Sequence, residues 1–229
     1  MTHYILYTDQ RPPPAAAHQA ALLSQENVQD LHMFAIEPSN LHFEVYRMGI
    51  PGEVASYLNR IGRFEHAPSS AVLAFEDDTC KKVVGFLLFL PVPTHPEACG
   101  ITYMAVDRSQ RRRGVGTAMM KLVLERHPHI ELTCSIAKVP FYQSLGFNVI
   151  GVRDTQIILN TRAESCTGLM AIENVQLIYE SPMVKDLQSR LANKHGPKAM
   201  RDATKRLEKH IEMLSRKAQA YFDQHQTSS

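Results

Sequence analysis

The passage with the most chemical content is Asp107-Arg108-Ser109-Gln110-Arg111-Arg112-Arg113-Gly114-Val115-Gly116-Thr117. It follows a run of strand character, Gly100 to Val106, and leads into Ala118, Met119, Leu122 and Val123 at helical spacing. A strand, an arginine-rich turn with two glycines and a helix together make an anion cradle. Glycine removes the side chains that keep a ligand off the main chain. The first helical turn presents unpaired N–H groups, and the helix dipole adds partial positive charge. With Arg111, Arg112 and Arg113 alongside, a phosphate or pyrophosphate is the natural ligand, because guanidinium and main-chain donors converge on one point. On composition alone the same residues also suit a solvated turn. The spacing is not the dinucleotide fingerprint, which needs a third glycine, nor the P-loop, which needs Gly-Lys-Ser/Thr after four spacers.

A second distinctive run lies downstream, Phe141-Tyr142-Gln143-Ser144-Leu145-Gly146-Phe147. Taken in order, strand Thr102 to Val106, then Arg111-x-x-Gly114-x-Gly116-Thr117 with its amphipathic helix, then this aromatic run resemble the Gcn5-related N-acetyltransferase superfamily. The first element is similar to its Gln/Arg-x-x-Gly-x-Gly/Ala signature for acetyl-coenzyme A, the second to its Phe-Tyr-x-x-Leu-Gly-Phe element. The resemblance covers Leu41 to Arg162 and is carried by Gly100 to Phe147; both ends of the chain lie outside it.

The resemblance implies a mixed α/β fold with a central, mostly antiparallel sheet, splayed in the middle and flanked by helices. It implies acetyl-coenzyme A as co-substrate and direct attack by an amine, on a small molecule or a protein, in a ternary complex. Main-chain groups of Met104, Ala105 and Val106 would then hold the pantetheine arm, with an N–H near Val106 at the developing oxyanion. N–H groups from Arg112, Arg113, Gly114, Val115, Gly116 and Thr117 would hold the pyrophosphate, with Arg111 bracing the loop or touching a phosphate. Ile130 to Ile136 would form the facing wall. Tyr142 would be the general acid that protonates the departing thiolate, a role suited to a phenol whose proton moves a short distance onto sulfur; an aromatic beside Phe141 and Phe147 also suits plain core packing. No general base is evident. Where some relatives carry a glutamate on the strand before the loop, this chain has Gly100, with Thr102 and Tyr103 nearby and no carboxylate; His95 and Glu97 precede the strand in a proline-broken segment. A water-relayed base or an amine that arrives neutral stays open. The rival reading is a non-catalytic acyl-coenzyme A sensor or interaction module acting through the end of the chain.

These residues must be positioned by the elements around them. Pro12 to Pro14 separate the first dozen residues as an extended arm or edge strand. A helix is expected over Ala15 to Phe34, a half-buried strand over Leu41 to Met48 from its alternation, and a helix over Glu53 to Phe64. Ala71 to Glu76 and Lys82 to Leu90 read as an antiparallel hairpin about the Asp77-Asp78-Thr79 turn. Pro91, Pro93 and Pro96 predict a break before the strand Gly100 to Val106. Ile130 to Ile136 is a further strand, Val139 to Leu145 a short helix closed by Gly146, and Phe147 to Ile150 and Gln156 to Asn160 two last strands. Four parts follow: an arm and helix (1–40), the acetyltransferase-like domain (41–162), a connecting segment (163–182) and a helical extension (183–229).

Composition limits the alternatives. The chain has 229 residues, 44% of them hydrophobic, and a net charge of +2, which excludes wholesale disorder. Its longest apolar run, Val83 to Val92, is strand-sized and too short to span a bilayer. The N-terminus has no secretory pattern, so a cytoplasmic location is expected. Cys80, Cys99, Cys134 and Cys166 contain no Cys-x-x-Cys pair and read as buried free thiols; Cys134 in particular reads as a small core residue rather than a nucleophile. His127-Pro128-His129 lacks metal-ligand spacing and reads as loop or surface histidine, so no metal is expected. Charge is uneven: residues 1–40 carry −3, 41–182 are neutral and 183–229 carry +5. In that basic end Met200, Thr204, Leu207, Ile211, Leu214, Ala218 and Tyr221 recur at spacings of three and four, an apolar stripe that must cover its own domain or a second copy in a homodimer. Nucleic acid is a poor fit, since aromatics are sparse and acids interrupt the basic run.

Overall fold

A computed structural model describes residues 1–226 of the chain. They form seven strands, β1 (His3–Tyr7), β2 (Ser70–Phe75), β3 (Val83–Val92), β4 (His95–Val106), β5 (His129–Cys134), β6 (Asn148–Arg153) and β7 (Gln156–Asn160), in one sheet ordered β1-β2-β3-β4-β5-β7-β6. Neighbours are antiparallel except β4 and β5, which run parallel. The unbroken apolar runs of β2 and β3 have the reason such runs usually have: both faces are covered. Leu73, Phe75, Phe86 and Leu88 face α1 (Pro14–Glu26) and α3 (Phe43–Arg60), while Val72, Ala74, Leu87 and Phe89 share a core with α4 (Val115–Arg126) and α5 (Val139–Gln143). Pro14 opens α1, where its missing N–H costs nothing, and Val28–Leu31 forms the one-turn helix α2.

Two local expectations are corrected. Leu41 to Met48 is not a strand but belongs mostly to α3. The stripe Ile50, Glu53, Val54, Tyr57, Leu58 and Ile61 extends backwards through Gly49 and Val45, and the longer helical period outweighs three alternating apolar residues. Asn40 starts the turn, its Oδ1 accepting from His42 N at 2.9 Å and its carbonyl from Phe43 N at 2.9 Å. The helix continues through Pro51. The prolines after Leu90 likewise do not break the sheet: Pro91 faces Cys99 across β3 and β4, and the hairpin turns tightly between Val92 and His95. Boundaries also move: β5 ends at Cys134 rather than Ile136, and α5 at Gln143 rather than Leu145, with Gly146 left-handed at φ 90°.

After β7 the chain crosses back as an irregular segment with one helical turn, α6 (Gln176–Tyr179), and then forms α7 (Pro182–Gln226). α7 is two helical lengths joined at Gly196, whose φ of 80° and ψ of 158° are not helical. The apolar stripe of its second length lies on the chain's own domain. Ala203 and Ala218 are fully buried, Ala218 in the core that contains Tyr142 and Phe147. Polar ties fix the register: Asn40 Nδ2 donates to Ala203 O at 3.0 Å, His42 Nε2 lies 2.9 Å from Thr204 Oγ1, and His210 Nε2 lies 3.0 Å from Phe34 O. The last three residues of the predicted extension lie outside the described residues. Among the described residues no helix is long and apolar enough to cross a membrane.

If this docking holds α7 in place, Ala218→Glu buries an unpaired charge and lowers unfolding free energy by about 3 kcal/mol. Ala220→Gln, two residues along on the exposed face, changes it by less than about 0.5 kcal/mol. Denaturant titration of both variants checks the contrast.

Candidate functional site

β4 and β5 pair only at Ala98–His129, Cys99–Ile130 and Gly100–Glu131. Beyond Gly100 they part, β4 continuing on β3 alone and β5 on β7 alone. The parting coincides with a bulge: Leu88 faces Tyr103 and Phe89 faces Ile101, so Thr102 is the extra residue. Along Ile101 to Val106 the edge of β4 that looks towards β5 has no strand partner, so its N–H and C=O groups line a V-shaped slot and need other partners. The slot opens into a cavity of about 1250 Å³ whose lining includes Met104, Cys134, Lys138 and Tyr142 as well as Glu53, Tyr57 and Tyr179.

Past Val106 the chain makes the predicted turn. Asp107 accepts from Ser109 N at 2.8 Å and Ser109 Oγ at 2.6 Å, and these bonds, chiefly the hydroxyl's, hold its carboxyl below the usual range. Arg112 (φ 62°) and Gly114 (φ 80°) are both left-handed, and Gly114 is the N-cap of α4. Such backbone turns successive N–H groups towards one concavity, to which the first turn of α4 adds its own donors. A Cβ on Gly114 would touch nothing within 4 Å, so glycine is there for its φ. A Cβ on Gly116 would lie 3.6 Å from Phe141, 3.8 Å from Val106 and 4.0 Å from Met104, so the loop, β4 and α5 converge there.

Arg111 ties the turn to its neighbours through side-chain bonds. Its Nε donates to Val106 O at 3.2 Å, and its Nη2 donates to Asn27 Oδ1 and, at 2.8 Å, to Asp30 Oδ2. Asp30 also pairs with Lys138 Nζ at 3.5 Å. Since Arg111 follows β4 and Lys138 follows β5, one carboxylate ties both sides of the slot. Burial alone would raise the Asp30 carboxyl, but Lys138 and Arg111 outweigh it and hold it below its ordinary value. Arg112 and Arg113 remain exposed at the rim.

Tyr142 sits on α5 with its ring between Phe141 (centroids 5.0 Å apart) and Phe147 (5.8 Å) and only 6% exposed, on the cavity wall. Burial, helped by neighbouring Cys134, pushes its phenol well above the usual range, so the proton stays on at neutral pH. Burial likewise pushes the Cys134 thiol up to about 12, which leaves it protonated and a poor nucleophile.

Residues 35–147 match the acetyltransferase (GNAT) family. They form a GNAT acetyltransferase domain. Its fold is that of a GNAT-family protein from Desulfovibrio desulfuricans (TM-score 0.50, 18% identity, 72% of this chain and 100% of that one). It is also that of PaiA N-acetyltransferase from Thermoplasma acidophilum, solved in complex with coenzyme A (TM-score 0.54, 10% identity, 70% of this chain and 99% of that one). In direct sequence comparison no curated protein matches the chain.

In the GNAT domain the two sequence hallmarks meet, through Phe141 against Gly116. Met104 and Val106 are half-buried, whereas Ala105 is buried towards the α1 and α3 side. His95 and Glu97 lie at the hairpin end of β4 and do not line the cavity. His127 and His129 are buried rather than superficial: His127 Nδ1 lies 2.8 Å from Pro96 O and His129 Nε2 3.1 Å from Glu164 O. Of the four cysteines, Cys99 and Cys134 are buried but Cys80 and Cys166 only partly so. Among the described residues no group of histidine, cysteine, aspartate and glutamate is arranged to hold a metal ion.

The sequence reading missed the carboxylate. Glu53, 5% exposed, accepts a hydrogen bond from Tyr103 Oη on one oxygen and from Tyr179 Oη, at 2.7 Å, on the other. Its signal was a lone acid on the buried stripe of α3, visible only once the stripe is read as facing a cavity. Tyr179 comes from the irregular segment after β7. It reaches Glu53 because Gly49 has no side chain to block its ring.

His32, on the cavity wall between Phe34 (4.0 Å) and Tyr46 (4.1 Å), is lowered from 6.5 to about 4 by burial. Below pH 6.5 the unfolded chain takes up a proton that the folded chain refuses, so stability present above 6.5 is lost progressively towards pH 4. His32→Phe keeps the ring packing and removes that step. Between pH 7 and 4.5 the variant should lose about 2 kcal/mol less unfolding free energy than the wild type, read by denaturant titration across the range.

Proposed function

We propose that the chain transfers an acetyl group from acetyl-coenzyme A to an amine. The observation that carries this reading is the slot itself. Unpaired β4 edge, left-handed loop and helix N-terminus follow one another in line and offer main-chain donors to an extended ligand that ends in phosphates. The coenzyme A complex of the Thermoplasma neighbour, which shares the fold, supports the same ligand. The open space beside Gly114 supports it as well.

When bound, acetyl-coenzyme A supplies the activated acyl group and the thiol that leaves. Met104, Ala105 and Val106 hold its arm through the main chain, as an added strand would, and an N–H near Val106 faces the acyl oxygen. The N–H groups of Arg112 to Thr117 hold the phosphates, while Arg111 fixes the loop to Val106 and Asp30. The amine nitrogen bonds to the acyl carbon as the carbon–sulfur bond breaks; Tyr142, which keeps its proton in the buried site, passes it from Oη to the departing sulfur, and the proton shed by the attacking nitrogen restores the phenol.

Two variants test this. Gly116→Glu puts bulk and negative charge where the phosphates approach, and should weaken coenzyme A binding about 10- to 100-fold in a protein that still unfolds cooperatively. Unchanged affinity by calorimetry would remove the cradle. Tyr142→Phe should cut thiol release about 10- to 10⁴-fold while coenzyme A affinity is kept; equal turnover in the two proteins would leave Tyr142 as packing only.

A further inference from the structure

Three carboxylates line the cavity away from the phosphate loop, and they differ in what neutralises them. Glu131, opposite Gly100, has Arg153 at 3.7 Å and accepts from Asn160 Nδ2 at 3.2 Å. Glu173 has Arg60 at 3.1 Å. Glu53 is the most buried of them, and among the described residues no cation lies within ion-pair distance of it; its bonds come from two neutral phenols. Burying a carboxylate without a counter-ion is costly, and the two phenols satisfy only part of its acceptor capacity. The site therefore has room, in both charge and hydrogen bonding, for a cation with N–H donors.

The walls around it suit the same guest. Tyr46, Tyr57, Tyr103 and Tyr179 cluster about Glu53, with ring centroids 5.7 Å apart for Tyr46 and Tyr179 and 6.2 Å apart for Tyr57 and Tyr103. Aromatic faces attract an ammonium ion, and more strongly where water is thin. The chamber is roofed by the chain itself. Met170 comes down over Gly100, Ile178 over Gly52 and Tyr179 over Gly49, three places where a Cβ would crowd the incoming side chain. Arg60 anchors this strap through Ala171 O at 2.8 Å and Glu173, and Tyr57 Oη accepts from Glu173 N at 3.0 Å. A roof fixed at several points leaves little passage for a folded polypeptide and suits a small molecule.

We propose that Glu53 and its tyrosine wall are the acceptor site, and that the acceptor is a small cationic amine that docks as an ammonium ion. This deepens the transferase reading and rests on it. An ammonium nitrogen has no lone pair with which to attack. One N–H bond must break first, its electron pair staying on nitrogen, and the proton passes to a carboxylate oxygen of Glu53. The carboxylate missing from β4 at Gly100 is thus supplied from α3, across the cavity.

Binding of amines to the full chain, with no acyl donor present, tests the site apart from turnover. The probes are ethylamine, 1,4-diaminobutane and benzylamine at neutral pH, each against the alcohol of the same carbon skeleton, followed by calorimetry. At least one amine should bind at least tenfold more tightly than its alcohol, and Glu53→Gln should abolish that preference. Amines that bind no better than their alcohols in the wild type, a comparison that needs no variant to fold, would overturn the proposal, as would a preference that survives Glu53→Gln in a folded protein. Thiol release from acetyl-coenzyme A then compares these amines with an unstructured peptide bearing a free N-terminal amine; kcat/KM should favour the best small amine at least tenfold, and a preference for the peptide would also overturn it. Glu53-dependent amine binding with no thiol release for any acceptor would overturn the transferase reading while supporting the ammonium site. Coenzyme A binding without amine preference would sink the site and leave the transferase reading intact.

Discussion

Everything in this molecule is arranged around two parallel strands that stop pairing after three residues. A β-strand in mid-sheet normally has both edges bonded, and each main-chain group left without a partner forfeits roughly 1 kcal/mol or more if water is also kept away. β4 accepts that loss along Ile101 to Val106. The bulge at Thr102 turns the strand away, while β2 and β3, buried on both faces, hold its other edge firmly enough for one side to stay open. The two sides are kept in register from outside the sheet, by Asp30 between Arg111 and Lys138. Side chains thus replace the ladder bonds that the slot gives up, and they do so at its rim, where a ligand between the strands need not displace them.

Much of this was legible because it is local. The turn is written in consecutive residues, Arg111 to Thr117, and a left-handed Gly114 before a helix is what such a string builds. The edge strand before Pro12, the β2–β3 hairpin and the amphipathic second length of α7 follow from alternation, turn residues and three-four spacing in the same way. The error at Leu41 to Met48 was of the same local kind. Three alternating apolar residues satisfy either period over so short a span, and only the stripe running on to Ile61 decides between them. The prolines near residue 91 misled for another reason. Proline forbids one donor, but at the distal end of a hairpin, next to an irregular register, that donor is not needed.

What could not be read is the part of the site made by distant segments. Nothing around Glu53 announces a buried carboxylate held by two phenols; that setting comes from Tyr103, fifty residues on, and Tyr179, well over a hundred residues on. The strap that delivers Tyr179 has little periodicity of its own and is shaped by what receives it, namely Gly49, Gly52 and Gly100. Those glycines look unremarkable in sequence, since none needs a positive φ; each matters for the side chain it lets in. Met170 occupies the place over the strand, and the acid sits on the helix facing it.

Burial then settles how charge is distributed along the slot. Tyr142 and Cys134 are pushed up and His32 is pushed down, so all three walls are neutral near pH 7. Asp30, Glu131 and Glu173 are each matched by a basic side chain. Among the described residues that line the cavity, Glu53 and Lys217 have no ion-pair partner, while Arg112 and Arg113 stand exposed on the loop outside it. Between neutral, poorly solvated walls such charges act over longer distances than they would in water. An anionic group is drawn towards the loop and a cationic one towards Glu53, so charge as well as shape orders what enters the slot. The polarity of the cavity, more than any single contact, gives the site its direction.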